Sequence, residues 1–420
     1  MGSLLLRSRK DAFEVIAPDV ALDRNIIGDN SGNLIFLEAA QRLLTTRGQS
    51  VTPDRFVIDP AGAERINERY DGYVIPLANA FRPSYEANLI RLTQLIERLR
   101  IPVTILGVGA QANVRYSDAE RLRPMEPSIR RFVSAVLERG PSIGVRGEFT
   151  ASYLEGLGFR DVDVIGCPSL FLYGDGLRVT KRVPALAPDA RVAINISPYV
   201  KAMAPIARRH VARYPELIYV PQDLGSLERL VSGGAHDPAA ADAPVPDERA
   251  RFFLDPWPWI AALRDVDVAF GSRIHGNIAA LLAGTPAIVL AHDSRTLEIA
   301  RYFDIPHRIL ADLPADIDVA ELYAAADFDA FHAGQPGRFA TFTAFLARHG
   351  LDHAFVPGED PAAFLDRLSA TPFPPAVTIA ERRPPSGVVG RLRALRRRVR
   401  RAVRSPRMRT WRAAILRRRP

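Results

Sequence analysis

Ala269-Phe-Gly-Ser-Arg-Ile-His-Gly-Asn-Ile-Ala-Ala-Leu-Leu-Ala-Gly-Thr-Pro-Ala-Ile-Val-Leu290 is the stretch whose reading decides the fold. With Val266 and Val268 ahead of it, Phe270 completes an alternating apolar run that reads as a strand. Gly271-Ser272 ends that run. From His275 onward Ile278, Leu281 and Leu282 follow helical spacing, and Gly284-Thr-Pro286 stops the helix. Ala287-Ile-Val-Leu290 is a second strand. The unit is strand, loop, helix, strand, and in an open parallel sheet such a loop lies at the carboxyl edge, where α/β folds bind ligands. Arg273 and His275 stand there, beside the free N–H groups and positive dipole end of the helix. Two readings follow: an anion-handling device built from a fixed cation, an imidazole and a helix N-terminus, or a polar surface turn with a cap.

Working outward, Arg191-Val-Ala-Ile-Asn-Ile-Ser197 opens the α/β domain to which this unit belongs. The strand Leu217-Ile-Tyr-Val220 leaves through a polar exit, Pro221-Gln-Asp223. Ser232 to Asp247, rich in Gly, Pro, Ala and Asp, reads as a flexible loop and a candidate flap. Trp257 and Trp259 beside Asp255 offer either a sugar-stacking face or core packing. Downstream the pattern predicts helices at Thr296–Phe303, Asp316–Ala326, Phe328–Ala333, Arg338–Gly350 and Glu359–Asp366.

The first half repeats the alternation. Asn25-Ile-Ile-Gly-Asp-Asn-Ser-Gly-Asn33 is a glycine-rich turn into a helix carrying Ile35, Phe36, Ala39, Leu43 and Leu44, with Asn30 and Ser31 as caps. Its spacing is neither a dinucleotide fingerprint nor a P-loop, so it reads as an anion or sugar turn or simply as a capped one. Strands follow at Gly72–Asn79 and Pro102–Gln111, and helices at Asn88–Arg100 and Glu126–Arg139. Gly109 and Gln111 form either a pocket wall or a βα turn that requires small residues. Ser142 to Thr150 runs from strand into loop, with Thr150 as the cap of a helix through Leu157. Arg146, at the carboxyl end of that strand, aims at the same cleft as Arg273 or serves a structural ion pair.

The length of 420 residues predicts two or three domains, and 47% hydrophobic with 25% charged residues describes a globular chain. A single cysteine, Cys167, excludes an intramolecular disulfide and fits a reducing compartment. Leu4-Leu5-Leu6 before Arg7 is too short for a signal-peptide core, and the apolar run from Ile278 to Ala291 is too short and too broken to span a bilayer. The expected location is cytoplasmic. The net charge of +9 is misleading, because 16 Arg and no acid lie in residues 382–420, leaving 40 basic against 47 acidic residues before them. In that tail Val388, Leu392, Leu395, Val399 and Val403 recur at helical spacing among arginines. This is the pattern of an interfacial helix on anionic lipid and predicts peripheral attachment to the inner face of the plasma membrane; the alternatives are a polycation that binds nucleic acid and a docking tail for an acidic partner. The expected domains are residues 1–180, residues 190–375 and the Arg-rich tail 382–420, with Lys181 to Ala190 as the linker.

Ser272-Arg-Ile-His-Gly-Asn277, followed by Ala280, Ala283-Gly-Thr-Pro286 and Asp293-Ser-Arg295, resembles the polysaccharide pyruvyl transferase family. Arg295 stands where that family more often has Lys, Gly147-Glu148 where it has Asp, and Cys167 where the Gly-Asp-Pro-Ala turn has Asp. The resemblance implies two Rossmann-like domains facing a cleft, similar to the GT-B arrangement. It further implies transfer of the enolpyruvyl unit of phosphoenolpyruvate to sugar hydroxyls, leaving a pyruvate ketal on a surface glycan or its lipid-linked precursor. By carry-over Arg273 and Arg146 hold phosphate and carboxylate, His275 is the acid and Asp29 the candidate base. Ser272, Gly276, Asn277, Asn30, Gly32, Asn33, Gly109, Gln111 and Arg295 are the expected binding residues. No cofactor beyond the donor substrate and no obligatory metal are expected, since no His/Cys/carboxylate group has metal spacing. The alternative is a glycosyltransferase using a nucleotide sugar on the same fold.

Overall fold

The computed structural model describes residues 2–233 and 244–379. The tail at 382–420 and most of the expected flap at 232–247 lie outside the described residues.

The first half opens with β1 (Gly2–Leu6), α1 (Pro18–Arg24), α2 (Gly32–Leu44), β2 (Gln49–Pro53) and α3 (Ala63–Arg69). It continues with β3 (Gly72–Pro76), α4 (Glu86–Ile96), β4 (Val103–Leu106), α5 (Glu126–Leu137), β5 (Ile143–Val145), α6 (Glu148–Gly156) and β6 (Val162–Val164). Its strands are all parallel, in the order β2-β1-β3-β4, and the bridge from Val108 to Val145 carries the sheet on to the β5-β6 pair. β1 was not anticipated as a strand. Its Leu4, Leu5 and Leu6 are buried, and the strand forms the sheet between β2 and β3.

The second half comprises β7 (Val192–Asn195), α7 (Met203–Arg213), β8 (Ile218–Tyr219), α8 (Leu224–Val231) and α9 (Pro256–Leu263). β9 (Val268–Gly271), α10 (Ile274–Leu282), β10 (Ala287–Ala291), α11 (Ser294–Tyr302) and β11 (His307–Ile309) follow. This sheet is also wholly parallel, in the order β11-β10-β9-β7-β8. The expected α/β architecture of two Rossmann-like sheets is therefore present. In the second sheet the order reverses between β7 and β9, and the crevice outside such a switch point is the favoured ligand position.

Two helical expectations are corrected. The two helices expected between 328 and 350 are one, α13 (Asp329–Arg348), after α12 (Val319–Ala325) and before α14 (Ala363–Ala370). Pro336 lies inside α13, yet Phe331, Phe342, Phe345 and Leu346 are buried along it and hold it together. Thr150 does not cap α6. Gly147 is the N-cap, and Thr150 lies inside the first turn.

Residues 329–370 return to the first half. His349 at the end of α13 sits 3.2 Å from Thr104 Oγ1 and 3.1 Å from Ser142 Oγ. Ala354 N–H donates to Leu43 O at 2.8 Å, and Arg42 Nη2 donates to Pro361 O at 2.6 Å. The halves are also joined by a buried ion pair, Lys10 with Asp255. Near it lies Glu38 of α2, whose two carboxylate oxygens are buried without a hydrogen-bond partner among the described residues. Burial pushes Glu38 up to about 8; Lys10 opposes this, while Asp255 and Asp11 add to it. Among the described residues no helix is long and apolar enough to cross a membrane.

Candidate active site at the junction of the two sheets

The site begins with the end of β9. Gly271 has φ 144°, and a β-carbon there would lie 1.9 Å from Asn195 O, so only glycine lets β9 run this close to the end of β7. Ser272 N–H donates to that same carbonyl at 3.0 Å, and Arg273 N–H donates to Asn195 Oδ1 at 2.8 Å. Ser272 Oγ accepts from Ser197 N–H at 2.9 Å. Asn277 Nδ2 donates to Gly271 O at 3.1 Å and to Arg273 O at 3.0 Å, while its Oδ1 accepts from Asn195 Nδ2 at 3.2 Å. Ser272 and Asn277, both expected to bind substrate, use these polar groups to build the loop. Their work is to fix Arg273, the N-cap of α10, and His275, two residues further on.

His275 is buried, with its ring stacked on Phe36 at a centroid distance of 5.5 Å. Cys167 Sγ lies 3.8 Å from His275 Nε2 and 3.3 Å from Ser169 Oγ. Cys167, which stands where the family's turn has Asp, is thus a neighbour of the imidazole. Arg146, also buried, places its guanidinium 5.9 Å from the Phe36 ring centre and donates from Nε to Gly107 O at 2.8 Å. Burial, then Arg146, then Arg273 push His275 down to about 3, so the imidazole is neutral in this site. Burial also lowers both arginines. A cluster of cations held away from water in this way has a strong demand for anions.

Gly32 and Gly276 let the first turns of α2 and α10 close on one another. A β-carbon on Gly32 would stand 2.8 Å from both His275 Cβ and Gln222 Oε1, and one on Gly276 would stand 2.7 Å from Gln222 Nε2. Gly109 backs Arg146 in the same way, its β-carbon position lying 3.1 Å from Arg146 Cδ. Asn30 Oδ1 accepts from Gly32 N–H at 2.9 Å, and Asn33 Nδ2 donates to Ile27 O and Gly28 O, so both shape the turn before α2. Gln111 Oε1 accepts from Asn79 Nδ2 at 3.1 Å. Arg295 is bound to Asp293, the N-cap of α11. Burial alone would raise Asp293, but Arg295, His292 and the Thr296 N–H together outweigh it and the carboxyl ends below its ordinary value. Asp29 is exposed at φ 67° and accepts from Asn25 Nδ2 at 2.8 Å, outside the buried cluster.

The two halves meet tightly here. Ser31 N–H donates to Gln222 O at 2.8 Å, and Ser294 Oγ donates to Ala110 O while accepting from Ala112 N–H. Glu298 of α11 accepts from Thr150 N–H at 2.8 Å and from Thr150 Oγ1 at 3.1 Å, which satisfies the first turn of α6 from across the junction. Burial raises Glu298 to about 7 against the pull of those bonds and of Arg146. Sequence reasoning missed Glu298 and Gln222. The helical pattern of α11 gave no sign that Glu298 faces inward, and Gln222 was only a polar residue after a short strand. Ser31 Oγ, Gln222 Oε1 and Nε2, Arg273 Nε and His292 Nδ1 are all buried without hydrogen-bond partners among the described residues. Buried polar atoms in native folds nearly always have partners, so this junction is fitted for a polar ligand.

A family model described as polysaccharide pyruvyl transferase matches residues 30–294, more than half of the chain and all of this site from Asn30 to Ser294. The chain belongs to the polysaccharide pyruvyl transferase family. Its family is one of transferases, and the Arg273-Ile-His275 loop lies inside the matched region. No curated protein matches the chain. Among solved structures it is similar to UDP-GlcNAc 2-epimerase of Methanocaldococcus jannaschii in complex with UDP-GlcNAc and UDP, at 11% identity and a TM-score of 0.43, covering 81% of this chain and 99% of that one. A putative UDP-N-acetylglucosamine 2-epimerase from Listeria monocytogenes gives 12%, 0.41, 87% and 94% in the same terms. The glycotransferase of kitacinnamycin gives 14%, 0.36, 82% and 95%.

Proposed function

We propose that this pyruvyl transferase family member moves the enolpyruvyl unit of phosphoenolpyruvate onto sugar hydroxyls and leaves a pyruvate ketal. The observation that carries the reading is the grouping of buried Arg146 and His275 with partly buried Arg273 around the N-terminus of α10. Two guanidinium groups suit a small acid bearing both a phosphate and a carboxylate. The neutral imidazole suits a step in which the proton comes with the donor. Anionic phosphate beside His275 offsets the two arginines and raises its proton affinity, so protonation is coupled to donor binding.

The imidazolium then gives its proton to C3, and C2 becomes electrophilic. A first sugar hydroxyl forms a bond to C2, its proton passing to a base, for which Asp29 is the candidate. The C2–O bond to phosphate breaks, a second hydroxyl closes the ketal, and phosphate leaves with the remaining proton. A saccharide acceptor, in a glycan or on a lipid carrier, is part of this proposal, as is membrane attachment through residues 382–420.

The test is incubation of the purified protein with phosphoenolpyruvate and a panel of p-nitrophenyl and lipid-linked glycosides, with UDP-sugars in parallel. Phosphoenolpyruvate-dependent phosphate release with a matching mass gain on one glycoside supports the reading. Turnover with a UDP-sugar alone overturns it in favour of glycosyl transfer.

A further inference from the structure

The donor grouping leaves the buried Gln222 side chain unused. Gln222 is 1% exposed, and both ends of its amide lack hydrogen-bond partners among the described residues. The amide spans the gap between two helix starts, its Oε1 facing Gly32 of α2 and its Nε2 facing Gly276 of α10. Its backbone is held on both sides: Gln222 O accepts from Ser31 N–H at 2.8 Å, and the next residue, Asp223, caps α8 by accepting from Ser226 N–H at 2.9 Å. The backbone that carries the side chain is thus held by the fold.

The chemistry of the missing partner can be narrowed. A carboxylate or phosphate oxygen only accepts, so it would satisfy Nε2 and repel Oε1; an ammonium or guanidinium group would do the reverse. A hydroxyl both donates and accepts, and satisfies the two ends together. Ser31 Oγ, buried and unpartnered on the residue bonded to Gln222 O, supplies another hydroxyl-reading group.

We infer that Gln222 is a specificity-determining residue that binds a hydroxyl of the acceptor saccharide, with Ser31 reading its neighbour, so that two hydroxyls are presented beside His275. This rests on the reading that the cleft joins its donor to a saccharide. Two adjacent recognised hydroxyls are what ring closure of a ketal requires.

The experiment compares the full chain with Q222M, which keeps the length and removes both polar ends, and Q222E, which keeps an acceptor. Steady-state kinetics are run with phosphoenolpyruvate and the best p-nitrophenyl glycoside. Glycoside binding is followed separately by saturation-transfer NMR, and thermal unfolding checks each variant's fold. Q222M is expected to raise the glycoside KM about tenfold or more, with the phosphoenolpyruvate KM within about twofold and the NMR signal lost. Q222E is expected to recover part of the loss. Unchanged glycoside KM and binding in folded Q222M overturn the inference, as does an equal rise in both KM values. If Q222M does not fold, Q222E decides: an unchanged glycoside KM overturns the inference and a selective rise supports it. If wild type turns over no glycoside with phosphoenolpyruvate, the pyruvyl-transfer reading fails by itself. In that case glycoside binding lost in Q222M still supports the hydroxyl contact, and binding that is absent or equal overturns it.

Discussion

His275 does its work through what surrounds it. Replacing it with Gln keeps size and removes the titrating nitrogen, so turnover is expected to fall by about two to four orders of magnitude. Stability carries a second signature. The imidazole is depressed to about 3 in the fold, below its ordinary 6.5, so its contribution is present above pH 6.5 and is lost as pH falls towards 3. H275Q is therefore expected to lose less stability than wild type between pH 7 and pH 4.5, read as urea midpoints. Cys167, 3.8 Å from Nε2, gives a finer test. C167D places a carboxylate beside the ring and is expected to raise its pKa, moving the acidic limb of the kcat/KM profile to higher pH. An unmoved limb would show that the imidazole does not titrate in the reaction.

At the level of elements, the β9–α10 connection is a loop built by its own side chains. N277L removes the bonds to Gly271 O and Arg273 O, and is expected to cost about 1–3 kcal/mol of stability. It should lower activity while leaving the pH profile in place, measured by denaturant unfolding and initial rates. G32A brings a β-carbon against His275 and Gln222, and overpacking of this kind costs about 1–3 kcal/mol. The β9–α10–β10 unit was legible because its alternation, its helical run and its Gly-Thr-Pro stop all agree. α13 was not, since Gly334, Pro336 and Gly337 are local breakers that burial of Phe331, Phe342 and Phe345 overrides. Residue identity placed Arg146, Arg273 and His275 at one cleft, and both guanidinium groups lie within electrostatic reach of the imidazole. It could not tell that Ser272, Asn33 and Asn277 turn inward to the backbone, because a motif records which residue is present and not where it points. Gln222 and Glu298 were invisible for a related reason: their partners come from the other half of the chain.

For the molecule as a whole, the junction between the halves carries both function and stability. Glu38, raised to about 8 by burial, contributes stability that is full below its unfolded pKa of about 4.3 and is lost as pH rises through 8. E38Q removes this dependence, so its advantage over wild type in guanidinium midpoint is expected to grow from pH 5 to pH 9. Lys10 and Asp255 form the neighbouring ion pair, and K10M, which leaves Asp255 charged and alone, is expected to cost roughly 3–5 kcal/mol. The route of the chain has its own consequence. Because residues 329–370 cross back to clasp α2 and the β4–β5 edge, a protease nick in the connector at 181–190 severs a covalent thread without releasing either lobe. The cleaved polypeptides should co-elute from a gel-filtration column in native buffer and separate only in denaturant, behaving as a clasped pair.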